Sequence, residues 1–294
     1  MGNVIEIKNL THYYKSKKIY ENLNFDVQGG KIFGLLGRNG VGKTTLIKIL
    51  MGFLKPVSGE CRVFGEKSHK MNPVVRKRIG LLFEGHLAYE FMTIGQIERF
   101  YGDFYENWDR SIYYDLVGKL GLKDDHLIKN MSCGQRSQVV LGLLFAQQPD
   151  LMILDDYSMG LDAGYRYLFI DYLKEYVKKP GKTVFMTSHV MTDLEDMVDD
   201  VIFLDRKREL LKISLNEFMS SFKKFSFKLN SENNLPQKDE IIENIDISGG
   251  QISVFSFAEK DRVLEHLEKF GVKSSIEEEK MNLEQAFVGL TGKY

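Results

Sequence analysis

Cysteine is nearly missing from this chain, with only Cys61 and Cys133 in 294 residues. Two thiols that far apart specify neither a disulfide framework nor a metal knuckle. Net charge is missing as well, since 40 Lys and Arg face 41 Asp and Glu for a formal charge of -1. That balance excludes a global positive field of the kind that gathers nucleic acid or an anionic membrane. Apolar runs such as Leu151 to Leu154 and Val201 to Leu204 are strand-sized, far short of the roughly 20 residues that span a bilayer. Near the N-terminus Glu6 and Lys8 interrupt the apolar positions, so no signal-peptide pattern forms and a cytoplasmic location is expected. Any membrane role is expected to come through a partner. No internal repeat or low-complexity tract stands out.

What is present is ordinary for a soluble globular protein, 43% hydrophobic and 28% charged residues, enough to bury a full-sized core. Val4-Ile5-Glu6-Ile7 and Leu23-Asn24-Phe25-Asp26-Val27 alternate, predicting two strands of a small antiparallel subdomain, the second closed by a Gly29-Gly30 turn. Lys31 to Leu36 reads as a buried strand, and Thr44 to Phe53 carries Leu46, Ile49, Leu50 and Phe53 at helical spacing. From about Gly85 to Pro149 the pattern is mostly helical. Its many rings (Phe91, Phe100, Tyr101, Phe104, Tyr105, Trp108, Tyr113 and Tyr114) are expected to pack a core or subdomain rather than box a ligand.

Leu151 to Leu154, Thr183 to Thr187 and Asp200 to Leu204 are short apolar strands, the first two separated by a helical stretch, which is the rhythm of a parallel sheet with crossovers. After about Leu215 the composition changes. The polar stretch Leu229 to Glu240 precedes a predicted hairpin (Glu243 to Ile247, Gln251 to Phe255), a helix from about Ala258 to Phe270 and a strand at Val272 to Ile276. The expected organisation is a domain over 1–215, with a helical subdomain at about 85–149, and a small α+β accessory domain over 216–294.

Chemistry enters with Gly37-Arg38-Asn39-Gly40-Val41-Gly42-Lys43-Thr44, a glycine-lined turn between predicted strand and helix, the setting of a phosphate loop. Backbone N–H groups from Asn39 to Thr44, with Thr45 following on the same helix start, surround phosphates, and the positive end of the helix adds to them. Lys43 reaches the β- and γ-phosphates and Thr44 holds Mg2+. The apolar strand Leu151-Met152-Ile153-Leu154 ends in Asp155-Asp156. At a strand's carboxyl end such acids enter the crevice where the nucleotide sits. Asp155 is expected to act on the Mg2+ shell, and Asp156 to orient or deprotonate the attacking water. His189, just past the strand Thr183 to Thr187, belongs near the same crevice, facing the γ-phosphate and the water.

Met131-Ser132-Cys133-Gly134-Gln135 precedes an apolar helix and resembles the Leu-Ser-Gly-Gly-Gln signature of ATP-binding-cassette (ABC) ATPases. The resemblance covers Ile5 to Leu204 with every motif in family order. It implies a P-loop NTPase of ABC type, α/β in class, with an antiparallel β subdomain and a helical subdomain. Tyr14 resembles the family's adenine-stacking aromatic, with Tyr13 as its neighbouring alternative. Glu84 falls where the Q-loop glutamine usually stands, a candidate catalytic position whose carboxylate is expected either to ligate Mg2+ directly or through water or, without the metal, to repel the phosphates. Ser158-Met159-Gly160-Leu161-Asp162 resembles the D-loop, and His189 the switch histidine.

The family implies two cassettes paired head to tail, as a homodimer or with a sister ATPase. Each ATP then lies between one phosphate loop and the partner's signature, so that Ser132, Cys133, Gly134 and Gln135 meet the partner's nucleotide. It further implies closure that drives a separate membrane-spanning subunit, placing this chain on the cytoplasmic face through that partner.

Four residues depart from the family pattern: Met131 for leucine, Cys133 for glycine, Asp156 for glutamate and Glu84 for glutamine. The ending Met281 to Gly292 and the aromatic stretch Phe100 to Trp108 resemble separately encoded bacterial exporter-type ATPases. Mg-dependent ATP hydrolysis coupled to export is therefore the leading expectation. The alternatives are a soluble cassette ATPase that remodels a macromolecular complex and an ATP-gated binding or immunity module with little turnover. No nucleic acid is expected as a partner.

Overall fold

A computed structural model describes residues 2–83, 89–158, 161–188, 190–205, 208–228, 235–272 and 276–292. They divide into two compact units, Met1–Val190 with Met197–Lys212, and Met191–Asp196 with Ile213–Tyr294.

The first unit opens with two long antiparallel strands, β1 (Asn3–Tyr14) and β2 (Lys17–Gln28). Then follow β3 (Ile32–Gly37), α1 (Lys43–Leu50), β4 (Ser58–Val63), β5 (Glu66–Lys67), α2 (Pro73–Lys77) and β6 (Ile79–Leu82). Next come α3 (Ile94–Gly102), α4 (Arg110–Gly118), α5 (Cys133–Ala146), β7 (Leu151–Asp155), α6 (Ala163–Lys178) and β8 (Thr183–Thr187). After α7 (Met191–Met197) the chain returns as β9 (Asp200–Asp205) and β10 (Arg208–Ser214).

The two strands predicted at the N-terminus pair as half of an antiparallel sheet ordered β2-β1-β4-β5. A second sheet runs β10-β9-β3-β8-β7-β6, with β9, β3, β8, β7 and β6 mutually parallel. All six residues of β3 and all five of β7 and of β8 are buried, as unbroken apolar strands covered on both faces should be. One apolar cluster runs from Ile5, Ile7 and Leu10 of β1 through Leu46, Ile47, Ile49 and Leu50 of α1 to Leu35, Ile153, Phe185 and Ile202 of the parallel sheet. Helix α1 is thereby fixed to both sheets, and the loop in front of it has rigid ends.

Helices α3, α4 and α5 pack around Ile94, Ile97, Tyr113, Val117, Val139 and Leu143. Their starts are capped by Thr93, Asp109 and Ser132. Buried Glu98 is satisfied by Trp108 Nε1 at 2.9 Å and by Arg110 Nη2 at 2.7 Å. The expectation that the aromatics here form core is met by Tyr113 and, in part, by Tyr101, Trp108 and Tyr114. It fails for Phe91 and Phe104, 71% and 55% exposed. Phe100 and Phe104, four apart, continue the α3 spacing away from its buried stripe of Ile94, Ile97 and Glu98. With Tyr89 and Phe91 they form an edge-to-face ladder at 5.2–5.9 Å centroid spacing.

The second unit holds α8 (Leu215–Ser221), β11 (Lys223–Lys228), β12 (Asn244–Ser248), β13 (Gln251–Ser256), α9 (Lys260–Glu268), β14 (Glu277–Glu279) and α10 (Leu283–Thr291). Its antiparallel sheet is ordered β12-β13-β11-β14. Val263 and Leu267 of α9 share a core with Phe225, Phe227, Ile252 and Val254. The strand expected at Val272 to Ile276 falls largely on residues outside the described set, and the strand paired with β11 is β14. Residues 191–196 belong to this unit: Leu194 is fully buried, and the Glu195 carboxylate accepts the Leu283 N–H at 3.1 Å. Among the described residues no helix is long and apolar enough to cross a membrane.

Candidate functional site

Strands β3, β7 and β8 end side by side, and a cleft of about 460 Å3 opens at their carboxyl ends. It is lined by the loop between β3 and α1 (Asn39, Gly40, Gly42, Lys43, Thr44 and Thr45), by Asp155, Asp156 and Thr187, and by Tyr14, Lys17 and Ile19.

The loop's glycines have local causes. At Gly37 a Cβ would lie 2.8 Å from Val41 Cγ1 and 2.9 Å from the Leu204 carbonyl. Gly42 sits at φ 115°, and a Cβ there would meet the Tyr20 hydroxyl. That hydroxyl donates to the Gly42 carbonyl, and burial pushes its phenol well above the usual range, which keeps it a donor. Gly42 precedes α1 without any side-chain cap. The first-turn N–H groups of α1 thus have no capping side chain and face the cleft with the helix's positive end, an arrangement suited to an anion. Lys43 Nζ donates to the carbonyls of Gly37 at 2.6 Å and Arg38 at 3.2 Å. Gly37 and Val41 are buried and brace the loop from behind.

Across the cleft, Asp155 is 3% exposed and stands in register with Thr187 on β8. Thr187 Oγ1 donates to Asp155 Oδ1 at 2.9 Å and accepts the Asp156 N–H at 3.0 Å. Asp155 Oδ2 is buried with no hydrogen-bond partner, a position that normally costs about 1–3 kcal/mol. A buried acceptor left open in the cleft that Thr44 also lines fits a divalent cation. Among the described residues no three His, Cys, Asp or Glu side chains are placed to hold a metal by themselves, so a cation here would complete its shell with phosphate oxygens and water. Asp156 has φ 50° and accepts from Ser158 Oγ at 3.0 Å on its Oδ1.

Tyr14, 43% exposed, meets buried His12 edge-on at 5.1 Å. Both ring nitrogens of His12 lack hydrogen-bond partners, and burial lowers its pKa. Glu84, His189, Met159 and Gly160 lie outside the described residues. Ser132, Cys133, Gly134 and Gln135 form the start of α5 and do not line the cleft. Ser132 and Cys133 are exposed. Sequence reasoning missed Lys17, Ile19, Tyr20 and the hydroxyl of Thr187. For the last, the sequence offered only a threonine ending a predicted strand; that this strand pairs with the one ending in Asp155 comes from sheet order.

A protein-family model described as "ABC transporter" matches residues 20–158. The chain is 28% identical over 236 residues to the bacitracin transport ATP-binding protein of Bacillus licheniformis, covering 79% of this chain and 77% of that protein. It is 32% identical over 208 residues to an uncharacterized ABC transporter ATP-binding protein of Methanocaldococcus jannaschii, covering 69% and 74%. Among solved structures, a dimeric ATP-binding cassette in a post-hydrolysis state bound to ADP and Pi aligns with TM-score 0.62 at 21% identity, over 72% of this chain and 98% of that one.

Proposed function

The chain belongs to the ABC transporter ATP-binding family, and from that premise we propose that it hydrolyses Mg-ATP and couples the cycle to export through a separate membrane-spanning subunit. The observation that carries the hydrolytic part is the uncapped first turn of α1 with Lys43, facing a buried carboxylate oxygen with no partner on Asp155. The N–H groups from Asn39 to Thr45 bind the phosphates, and Tyr14 takes the base on its exposed face. Thr44 and Asp155 would hold the Mg2+, joined by Glu84 as the Q-loop position of the family pattern, and the bound ion would supply positive charge against the phosphate oxygens. As water bonds to the γ-phosphorus and the bond to ADP breaks, the Asp156 carboxylate orients the water or takes its proton, the role of switch histidine falling to His189 by its motif.

The signature residues Ser132 to Gln135 sit apart from this cleft, which supports their acting on the nucleotide of a second cassette in a head-to-tail dimer, homomeric or with a sister ATPase. A structurally similar cassette is dimeric with ADP and Pi, and a relative is named for bacitracin transport. The exposed ladder Phe91, Tyr89, Phe100 and Phe104 suits an apolar protein partner at the helical subdomain. The chain then works on the cytoplasmic face of the membrane through that partner.

Turnover of Mg-ATP by the purified chain should exceed that of a Lys43→Ala variant; equal rates would sink the hydrolytic reading. Affinity purification from detergent-solubilised native membranes should recover a polytopic membrane protein. Recovery of soluble partners alone would replace export with remodelling of a soluble complex.

A further inference from the structure

We propose that Thr187 is a positioning residue that gives the two adjacent carboxylates their separate tasks, fixing which oxygen of Asp155 is offered to Mg2+ and holding Asp156 in its turn. The inference rests on the Mg-ATPase reading above and adds a residue that none of the motifs marks.

A threonine hydroxyl has one proton to give and lone pairs to accept with. Here both capacities are used on neighbouring residues. The proton goes to Asp155 Oδ1 at 2.9 Å, and the oxygen accepts the Asp156 N–H at 3.0 Å. Thr187 is 1% exposed and ends β8 in register with Asp155, so the backbone ladder fixes the hydroxyl against the carboxylate. With Oδ1 occupied, Oδ2 is the oxygen of Asp155 left unpartnered, and both Asp155 and Thr187 line the cleft.

The second bond acts on backbone. Asp156 lies at φ 50°, in the left-handed region that residues with a Cβ avoid. Its N–H is held by Thr187 while its Oδ1 accepts from Ser158. One hydroxyl therefore separates the acids: Asp155 is pinned by a side-chain oxygen and Asp156 by its backbone. Valine has nearly the same shape but no hydroxyl. It would leave Asp155 Oδ1 and the Asp156 N–H buried without partners and free the Asp155 carboxylate to rotate.

The test compares Thr187→Val and Thr187→Ser with the full-length wild-type chain. Three quantities are read: kcat, the Mg2+ concentration that half-saturates binding of a fluorescent ATP analogue, and binding of the same analogue in EDTA. Thr187→Val should lower kcat about a hundredfold and raise the Mg2+ requirement about tenfold or more. Binding in EDTA should stay within about twofold, and Thr187→Ser should restore both affected quantities. Thr187→Ala, judged on the same readouts, stands in if the valine protein does not fold.

An unchanged Mg2+ requirement in the hydroxyl-free variant, an equal loss of binding in EDTA, or failure of serine to rescue would each overturn the proposal. A wild-type chain whose nucleotide binding ignores Mg2+ would overturn the Mg-ATPase reading with it. Normal wild-type behaviour with an unaffected valine variant would overturn this inference alone.

Discussion

Helices α1 and α5 each start within a motif that the sequence marks for nucleotide, and their first turns are completed in different ways. Helix α1 follows Gly42 in a left-handed conformation with no side-chain cap. Helix α5 follows Ser132, whose Oγ accepts the Gln135 N–H at 3.3 Å while Gln135 Oε1 accepts the Ser132 N–H at 2.9 Å. The first turn of α1 keeps its donors for a ligand inside the same chain. In α5 the capping box uses an acceptor site of the serine oxygen and does not consume its hydroxyl proton. One helix start thus keeps uncapped donors toward the cleft as folded, whereas the other is a capped, exposed surface.

The strongest way to break this comparison is at Lys43. Lys43→Ala should cut turnover by about a hundredfold or more with little change in thermal midpoint, checked by phosphate release and differential scanning fluorimetry. Ser132→Ala should act on both counts. Loss of the cap costs about 1 kcal/mol, which should lower the midpoint by roughly 2–4 °C, and turnover should fall by at least about tenfold. The sharper experiment mixes the two impaired chains. If α5 serves a second chain's cleft, a mixed dimer contains one complete site, and the mixture should outpace either variant; a mixture no faster than its parts would refute the division of labour.

A smaller effect is expected from Tyr20→Phe, which removes the hydroxyl on the Gly42 carbonyl. That carbonyl still accepts the Leu46 N–H at 2.9 Å, so stability should fall by only about 1 kcal/mol. The cost should appear as weaker nucleotide binding with nearly unchanged kcat, read by a titration and a saturation curve. Least disturbing is thiol labelling of the folded chain. Exposed Cys133 should react. Cys61 should stay silent even in mildly alkaline solution until the protein unfolds, because burial pushes its thiol up to about 12. Labelling that lowers turnover without moving the thermal midpoint would tie the start of α5 to the nucleotide cycle.

Legibility followed sequence distance. The glycine loop, the acids ending β7 and the cap at Ser132 are written in contiguous residues, each with a local physical signature. The hydroxyl of Thr187 acts on residues 31 and 32 positions away, and that of Tyr20 on one 22 positions away. Those contacts are created by strand register and sheet order, which periodicity does not encode. The ladder of exposed rings at α3 went unread for a related reason: aromatic composition favours burial on average, and only the path of the helix decides which face is covered.

Residues 191–196 lie downstream of Thr187 by only a few positions, yet they are grouped with the unit that resumes at Ile213. Glu195 and Leu283, joined by a hydrogen bond, are 88 positions apart, with every element from β9 to β14 between them. This has a consequence for inheritance. A single recombination event near residue 213 would unite a short helix from one parent with a tail shaped for another. Exchange of the tail among relatives would need two crossovers at once, or matching change at both ends. The tail is therefore expected to descend with its cassette and to carry the same history.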